Sequence, residues 1–188
     1  MAVLPIRIMG DPVLHTSAAP VEVVTESVRA LARDMFDTVD AAPGVGLAAP
    51  QVGVPLRLFV YSYHDDAGAP WRGAVVNPTL WVRPMPPGEP DPEEESEGCL
   101  SFPGERFALR RSDRVLLSGT GLDGGAVEFE VAGWRARILQ HEYDHLDGVL
   151  YVDRLDAADQ RVVARIARKR GWGAPGSSWL PGRDRLED

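Results

Sequence analysis

The stretch GWRARILQHEYDHLDG, residues 133–148, decides how the rest of the chain is read. Trp134, Ile138, His141, Glu142 and His145 recur at i, i+4, i+7, i+8 and i+11, the spacing of one helical face. A helix is therefore expected from near Gly133 to about Leu146. Inside it, His141-Glu142-Tyr143-Asp144-His145 has the form H-E-x-x-H. Residues four apart lie one turn above each other, so both imidazoles face one point in space, with Glu142 beside the first. These residues share their face with apolar ones, which predicts a metal in a dry pocket rather than two solvated histidines.

A catalytic metal usually takes three protein ligands and keeps one position open. One metallopeptidase pattern would supply a third histidine at position 151, which is Tyr151, although Gly148 fits. Another would use a downstream glutamate, and after Glu142 only Glu187 follows, almost at the chain end. Both patterns lack their third ligand. Upstream, Cys99 in EGCLSFPG (97–104) is the best candidate, because a thiolate binds zinc or ferrous iron well. A lone cysteine is most often a small buried hydrophobe. Here Gly98 and the turn-forming Ser101-Phe102-Pro103 argue against a buried core strand.

Outward from these motifs, Val28, Leu31, Ala32, Met35, Phe36 and Val39 predict a helix that Thr25 caps and that ends near Ala42-Pro43-Gly44. Residues 1–24 suit an irregular lead-in, and GVGLAAPQVGVP (44–55) looks too small-residued for an ordinary strand. Strands are expected at Leu56–Tyr63, Ala74–Val82, Arg114–Ser118 and Ala126–Val131. PMPPGEPDPEEESE (84–97) reads as a solvated acidic loop. A last helix covers about Ala157–Arg170, with Arg161, Arg165, Arg168, Lys169 and Arg170 outward. Residues 171–188 read as a loop-like tail after one catalytic domain at 1–170. Sequence-adjacent strands with separate helices indicate an α+β domain with antiparallel sheet.

The chain has 188 residues, 44% of them apolar, enough for a packed core. Its formal charge is 20 − 28 = −8, which argues against a nucleic-acid coat and leaves no basis for specific DNA binding. One cysteine precludes an internal disulfide and favours a reducing compartment. No apolar run reaches about 18 residues, and MAVLPIRIMGDPVLH shows no export signal. A soluble cytoplasmic protein, with no membrane partner, is the expectation.

IRIMGDPVL (6–14), GVGLAAPQ (44–51), EGCLS (97–101) and QHEYDHLDG (140–148) together resemble the signature segments of peptide deformylases, in the same order. The likeness runs from residue 6 to about 155. It implies antiparallel sheets packed around a central helix that carries H-E-x-x-H, plus a C-terminal helix. It further implies removal of the formyl group from the N-terminal formylmethionine of new polypeptides, with release of formate.

By this resemblance Cys99, His141 and His145 hold one divalent metal with water in its fourth position, and Glu142 is the general base. Ferrous iron is implied, while Zn²⁺, Ni²⁺ or Co²⁺ suit the same donors. The oxyanion donors would be the Gln51 side chain and the Leu100 backbone N–H. Val45, Ile138 and Trp134 would surround the methionine side chain, with Gly44, Gly46, Gly98 and Arg106 near the peptide backbone. Glu97 is expected in an ion pair or loop hydrogen bonds; Asp144 either orients a neighbour or is an exposed helix acid. Phe102, a departure from the family pattern, is expected to alter substrate preference nearby. The basic face of the last helix would contact the ribosome or be plain solvated surface. The competing functions are an H-E-x-x-H metallopeptidase and a catalytically silent metal- or ribosome-binding homologue.

Overall fold

The structure, a computed structural model, describes residues 2–65, 68–85, 87–184 and 186. In chain order the first elements are β1 (Ile6–Arg7), α1 (Glu26–Ala41), β2 (Gly46–Ala48), β3 (Leu58–His64) and β4 (Pro70–Val82). Then follow β5 (Ser96–Cys99), β6 (Phe102–Ala108), β7 (Arg114–Thr120), β8 (Ala126–Ala132), α2 (Trp134–Leu146), α3 (Ala157–Arg170) and β9 (Ser178–Trp179).

Side-chain alternation along β3 explains the layering. Leu58 and Val60 join Val28, Ala32, Met35 and Val39 of α1 in one core. Phe59 and Tyr61 join Ala136, Ile138 and Leu139 of α2 in another. The five-stranded antiparallel sheet, ordered β2-β3-β4-β7-β8, is therefore clasped between the two helices. Successive residues Leu58, Phe59 and Val60 are all fully buried, as a strand covered on both faces requires. A third core gathers Leu14, Cys99, Phe102, Tyr151 and Val163 under the β5–β6 hairpin and α3.

Helices α1 and α3 start where the sequence offers a cap. Thr25 Oγ1 accepts the Val28 N–H at the head of α1, and Asp156 accepts from Ala158 and Asp159 at the head of α3.

Several expectations need correction. The segment thought too small-residued for a strand does form one: Gly46–Ala48 pair with Phe59–Tyr61 at the sheet edge. Cys99 lies at the end of a strand, β5, paired antiparallel with β6. The acidic loop ends two residues early, because Ser96 and Glu97 belong to β5 and Glu97 is buried; position 86 of that loop lies outside the described residues. The lead-in contains β1, and the tail does not hang loose: β9 pairs with β1 through Ile6↔Trp179 and Arg7↔Ser178. Positions 185, 187 and 188 of that tail, Glu187 among them, lie outside the described residues.

Candidate metal centre

Helix α2 presents His141, Glu142 and His145 inward, all at least nine-tenths buried. Its partner is the end of β5. Cys99 Sγ lies 3.3 Å from His145 Nε2, which in turn lies 3.2 Å from His141 Nε2. One ligand atom from each residue falls within 4.8 Å of the other two. The ring planes of the histidines stand 78° apart, so the nitrogens converge edge to face rather than lying flat on one another.

What surrounds these donors sets their chemistry. Glu97 Oε1 lies 2.6 Å from His141 Nδ1, which leaves Nε2 directed at the sulfur and at His145. Burial opposes a charge on His141, yet the Cys99 sulfur and Glu97 push its pKa well above the ordinary value. Burial, with His141 adding to it, drives His145 the other way. Sulfur with two nitrogens fits a single divalent ion such as zinc or ferrous iron.

Glu97 is the centre of an ion network. Arg111 donates to it at 2.6 and 3.0 Å, and Arg137 donates to it at 2.9 Å. Burial works against the Glu97 carboxylate, but His141 and Arg111 hold its pKa far below the usual carboxylate range. Arg111 also reaches Asp144 at 2.6 Å, and Arg154 binds the same carboxylate. Asp144 is therefore a buried partner of arginines, not an exposed helix acid. Sequence reading missed Arg111 and Arg137 altogether, since LRRSDR (109–114) gives no local sign of what those side chains meet.

Glu142 stands apart from that network. Its Oε2 is buried without a hydrogen-bond partner among the described residues, and burial pushes its pKa up to about 7. The small residues of β2 make room for it: a Cβ on Gly46 would come within 2.3 Å of Glu142 Oε1. Gly46 is thus needed for the carboxylate, a reason other than the close approach of a substrate. Gln51, in the short 3-10 turn Ala49–Val52, accepts the Ala48 N–H through Oε1 at 2.8 Å. Its Nε2 therefore faces Ser101 Oγ, at 3.3 Å, and Cys99 Sγ, at 3.8 Å.

Beside these groups opens a cleft of about 400 Å³. Gly44, Val45 and Gly46 form one wall, Gly98, Leu100 and Arg106 another, and Ile138 the floor beside Glu142. Trp134, expected inward, is 36% exposed and stands at the mouth. Phe102 is not part of the lining; it is fully buried in the third core, with its ring edge-to-face with Trp172. In the β2–β3 register the Ser62 N–H bonds to the Val45 carbonyl at 2.9 Å. Gly46 opposite Tyr61 is then a position whose own N–H and carbonyl face the open edge, toward the cleft.

Known proteins resemble this chain in sequence and fold. The family model described as polypeptide deformylase matches residues 3–161. A peptide deformylase of Rhodococcus opacus is 52% identical over 97% of this chain and 95% of its own length. The crystal structure of peptide deformylase from Thermus thermophilus is 38% identical, with a TM-score of 0.76 over 89% of this chain and 94% of that one. A class I type b peptide deformylase from Acinetobacter baumannii, solved bound to Met-Ala-Ser, is 35% identical, with a TM-score of 0.71 over 82% and 99%.

Proposed function

The chain belongs to the polypeptide deformylase family, and from that premise we propose how its own residues carry out the reaction. As a peptide deformylase it hydrolyses the formamide at the N-terminal formylmethionine of new polypeptides and releases formate. The observation that carries the assignment to residues is the convergence of Cys99, His141 and His145 beside Glu142, whose Oε2 is buried with no hydrogen-bond partner among the described residues.

One metal ion is held per chain, by Cys99, His141 and His145, and we assign ferrous iron as the native one on the family resemblance. When bound, such a cation supplies Lewis acidity that makes water a competent nucleophile near neutral pH. Glu142 takes the proton from the attacking water and returns one to the departing amine nitrogen. Burial raises that carboxyl above its ordinary range, which favours its taking up a proton and giving one back. Gln51 Nε2 and the Leu100 N–H donate to the oxygen that gains charge in the transition state. The bond from Ala48 to Gln51 Oε1 orients that amide before substrate arrives.

The peptide lies extended along the open edge of β2, pairing with the outward N–H and carbonyl of Gly46, with Gly44 flanking it. Gly98 and Arg106 face it from the hairpin, where Ser96 holds the Arg106 guanidinium through its Oγ and its carbonyl. Val45, Ile138 and Trp134 receive the methionine side chain. The Met-Ala-Ser held by the Acinetobacter relative has the chemistry of a product of this reaction, a free N-terminal methionine.

No described helix is long and apolar enough to cross a membrane. We place the enzyme in the cytoplasm, where new chains emerge. The exposed Arg161, Arg165, Arg168 and Lys169 of α3 are proposed as the face that meets the ribosome. Charge reversal of these four should abolish co-sedimentation with ribosomes and leave turnover of a short peptide intact. A metallopeptidase reading is not favoured, because the chain matches the polypeptide deformylase family and position 151 carries a tyrosine, hydrogen-bonded to the Glu105 carbonyl, in place of a third histidine.

The test is formate release from formyl-Met-Ala-Ser, without cleavage of internal peptide bonds, by anaerobically prepared enzyme of measured metal content. Activity should fall after peroxide if the metal is ferrous. Glu142→Ala should keep the metal and lose at least about a hundredfold in turnover. Full activity in that variant would overturn the reading, and so would formate-free cleavage.

A further inference from the structure

We propose that Trp179, in the C-terminal tail, is a positioning residue of the active site: it holds the Leu100–Ser101 peptide group that faces the Cys99 sulfur. The inference rests on the reading of Cys99 as a metal ligand and of Leu100 as an oxyanion donor.

Trp179 is 3% exposed, and its indole N–H donates to the Leu100 carbonyl at 2.8 Å. At the other end of the same planar peptide group, the Ser101 N–H donates to Cys99 Sγ at 3.4 Å. The indole therefore fixes the plane in which that N–H approaches the sulfur. A hydrogen bond to the carbonyl also polarises the amide and strengthens its donation. On the next peptide group, the Ser101 carbonyl accepts the Met9 N–H at 2.8 Å. The Leu100 side chain lies against Gly44, where an added Cβ would meet Leu100 Cδ1 at 2.8 Å. Movement of residue 100 would therefore be felt at the sulfur ligand, at the oxyanion donor and at one wall of the cleft.

The docking of the tail is built rather than incidental. The Ile8 N–H bonds to the Ser177 carbonyl at 3.0 Å, and the Gly176 N–H to Asp11 Oδ2 at 2.9 Å. Gly10, at φ +94°, passes so close to the tail that a Cβ there would meet Gly173 Cα at 2.3 Å. Trp172 packs on Phe102 with ring centroids 5.2 Å apart, so the two tail indoles flank the segment that follows Cys99.

The test compares Trp179→Phe with a chain carrying β-(3-benzothienyl)alanine at 179, a tryptophan isostere without the N–H. The isostere keeps the shape and removes only the hydrogen bond, so it decides the matter if the Phe variant folds poorly. In the metal-free isostere protein, amide exchange at Ser101 should rise about tenfold or more while amides within α2 stay unchanged. In the cobalt-loaded protein the thiolate-to-metal absorption band should shift. With formyl-Met-Ala-Ser, kcat should fall about three- to tenfold with KM within about twofold. Unchanged Ser101 exchange together with an unmoved sulfur band overturns the proposal, as does a loss confined to KM or to thermal stability. Absence of the sulfur band in the parent protein would instead overturn the ligand role of Cys99, and the exchange measurement would still decide the role of Trp179.

Discussion

The Glu97 carboxylate sits 2.6 Å from Nδ1 of His141 while also receiving the guanidinium groups of Arg111 and Arg137. One side chain from a hairpin thereby sets the direction of an imidazole on the central helix and lends a shared counter-charge to two buried arginines, which Asp144 and Glu95 also pair. Glu97→Ala should cost about 10–100-fold in metal affinity, because the second ring nitrogen loses its partner. It should also cost about 3–5 kcal/mol of stability, since the buried arginines lose a counter-charge. Chelator competition and urea unfolding measure the two effects. Unchanged metal affinity would show that His141 is oriented by helix packing alone.

A methyl group added at position 46 would meet the Glu142 carboxylate, not the substrate. Gly46→Ala should fold and keep its metal, because the clash falls on one side-chain end. Displacing the carboxylate by about 1 Å should cost about a hundredfold in kcat. Wild-type formate release from that variant would mean that Glu142 acts from elsewhere.

Gln51→Glu separates the two roles of that amide. The new carboxylate still accepts the Ala48 N–H, so the turn at 49–52 should persist. The donor facing Cys99 and Ser101 is gone, and kcat should drop about 10²–10³-fold with the metal retained. Steady-state kinetics beside metal analysis would check this, and a drop of less than about threefold would remove Gln51 from the oxyanion site.

The raised pKa of Glu142 has a consequence for stability in the metal-free protein. Its ordinary value of 4.5 rises to about 7 on folding, so across that interval this carboxyl holds more proton in the native chain than in the unfolded one. Stability contributed by the protonated form is present at low pH and is lost as pH rises through about 7. Glu142→Gln cannot ionise and escapes that loss. Relative to the parent it should gain about 3 kcal/mol between pH 4.5 and 8, read from urea unfolding at a series of pH values. Parallel stability curves would refute the assignment.

Legibility in the sequence followed the range of the interactions. Helices α1, α2 and α3 were readable because helical periodicity, with the Thr25 cap at α1, acts within one or two turns. The expected span of α3, Ala157–Arg170, coincides with the helix itself. Strand β2 was not readable, since Gly46, Leu47 and Ala48 have weak strand preference and extend only because β3 pairs with them. The β5–β6 hairpin was hidden for a related reason: Gly98, Ser101 and Pro103 look like turn formers until the register with residues 102–108 is known.

By itself, the order of residues determined that His141, Glu142 and His145 share one helical face, because a four-residue interval is a full turn wherever the helix lies. The family motifs pointed to a sulfur as third donor, but only the packing of β5 against α2 brings Cys99 within 3.3 Å of a residue 46 positions away. Tertiary structure alone decided that Glu97 steadies His141, that Arg111 joins Glu97 to Asp144, and that Trp179 reaches back 79 positions to Leu100. Such contacts depend on where whole layers come to rest, and no spacing along the chain encodes them.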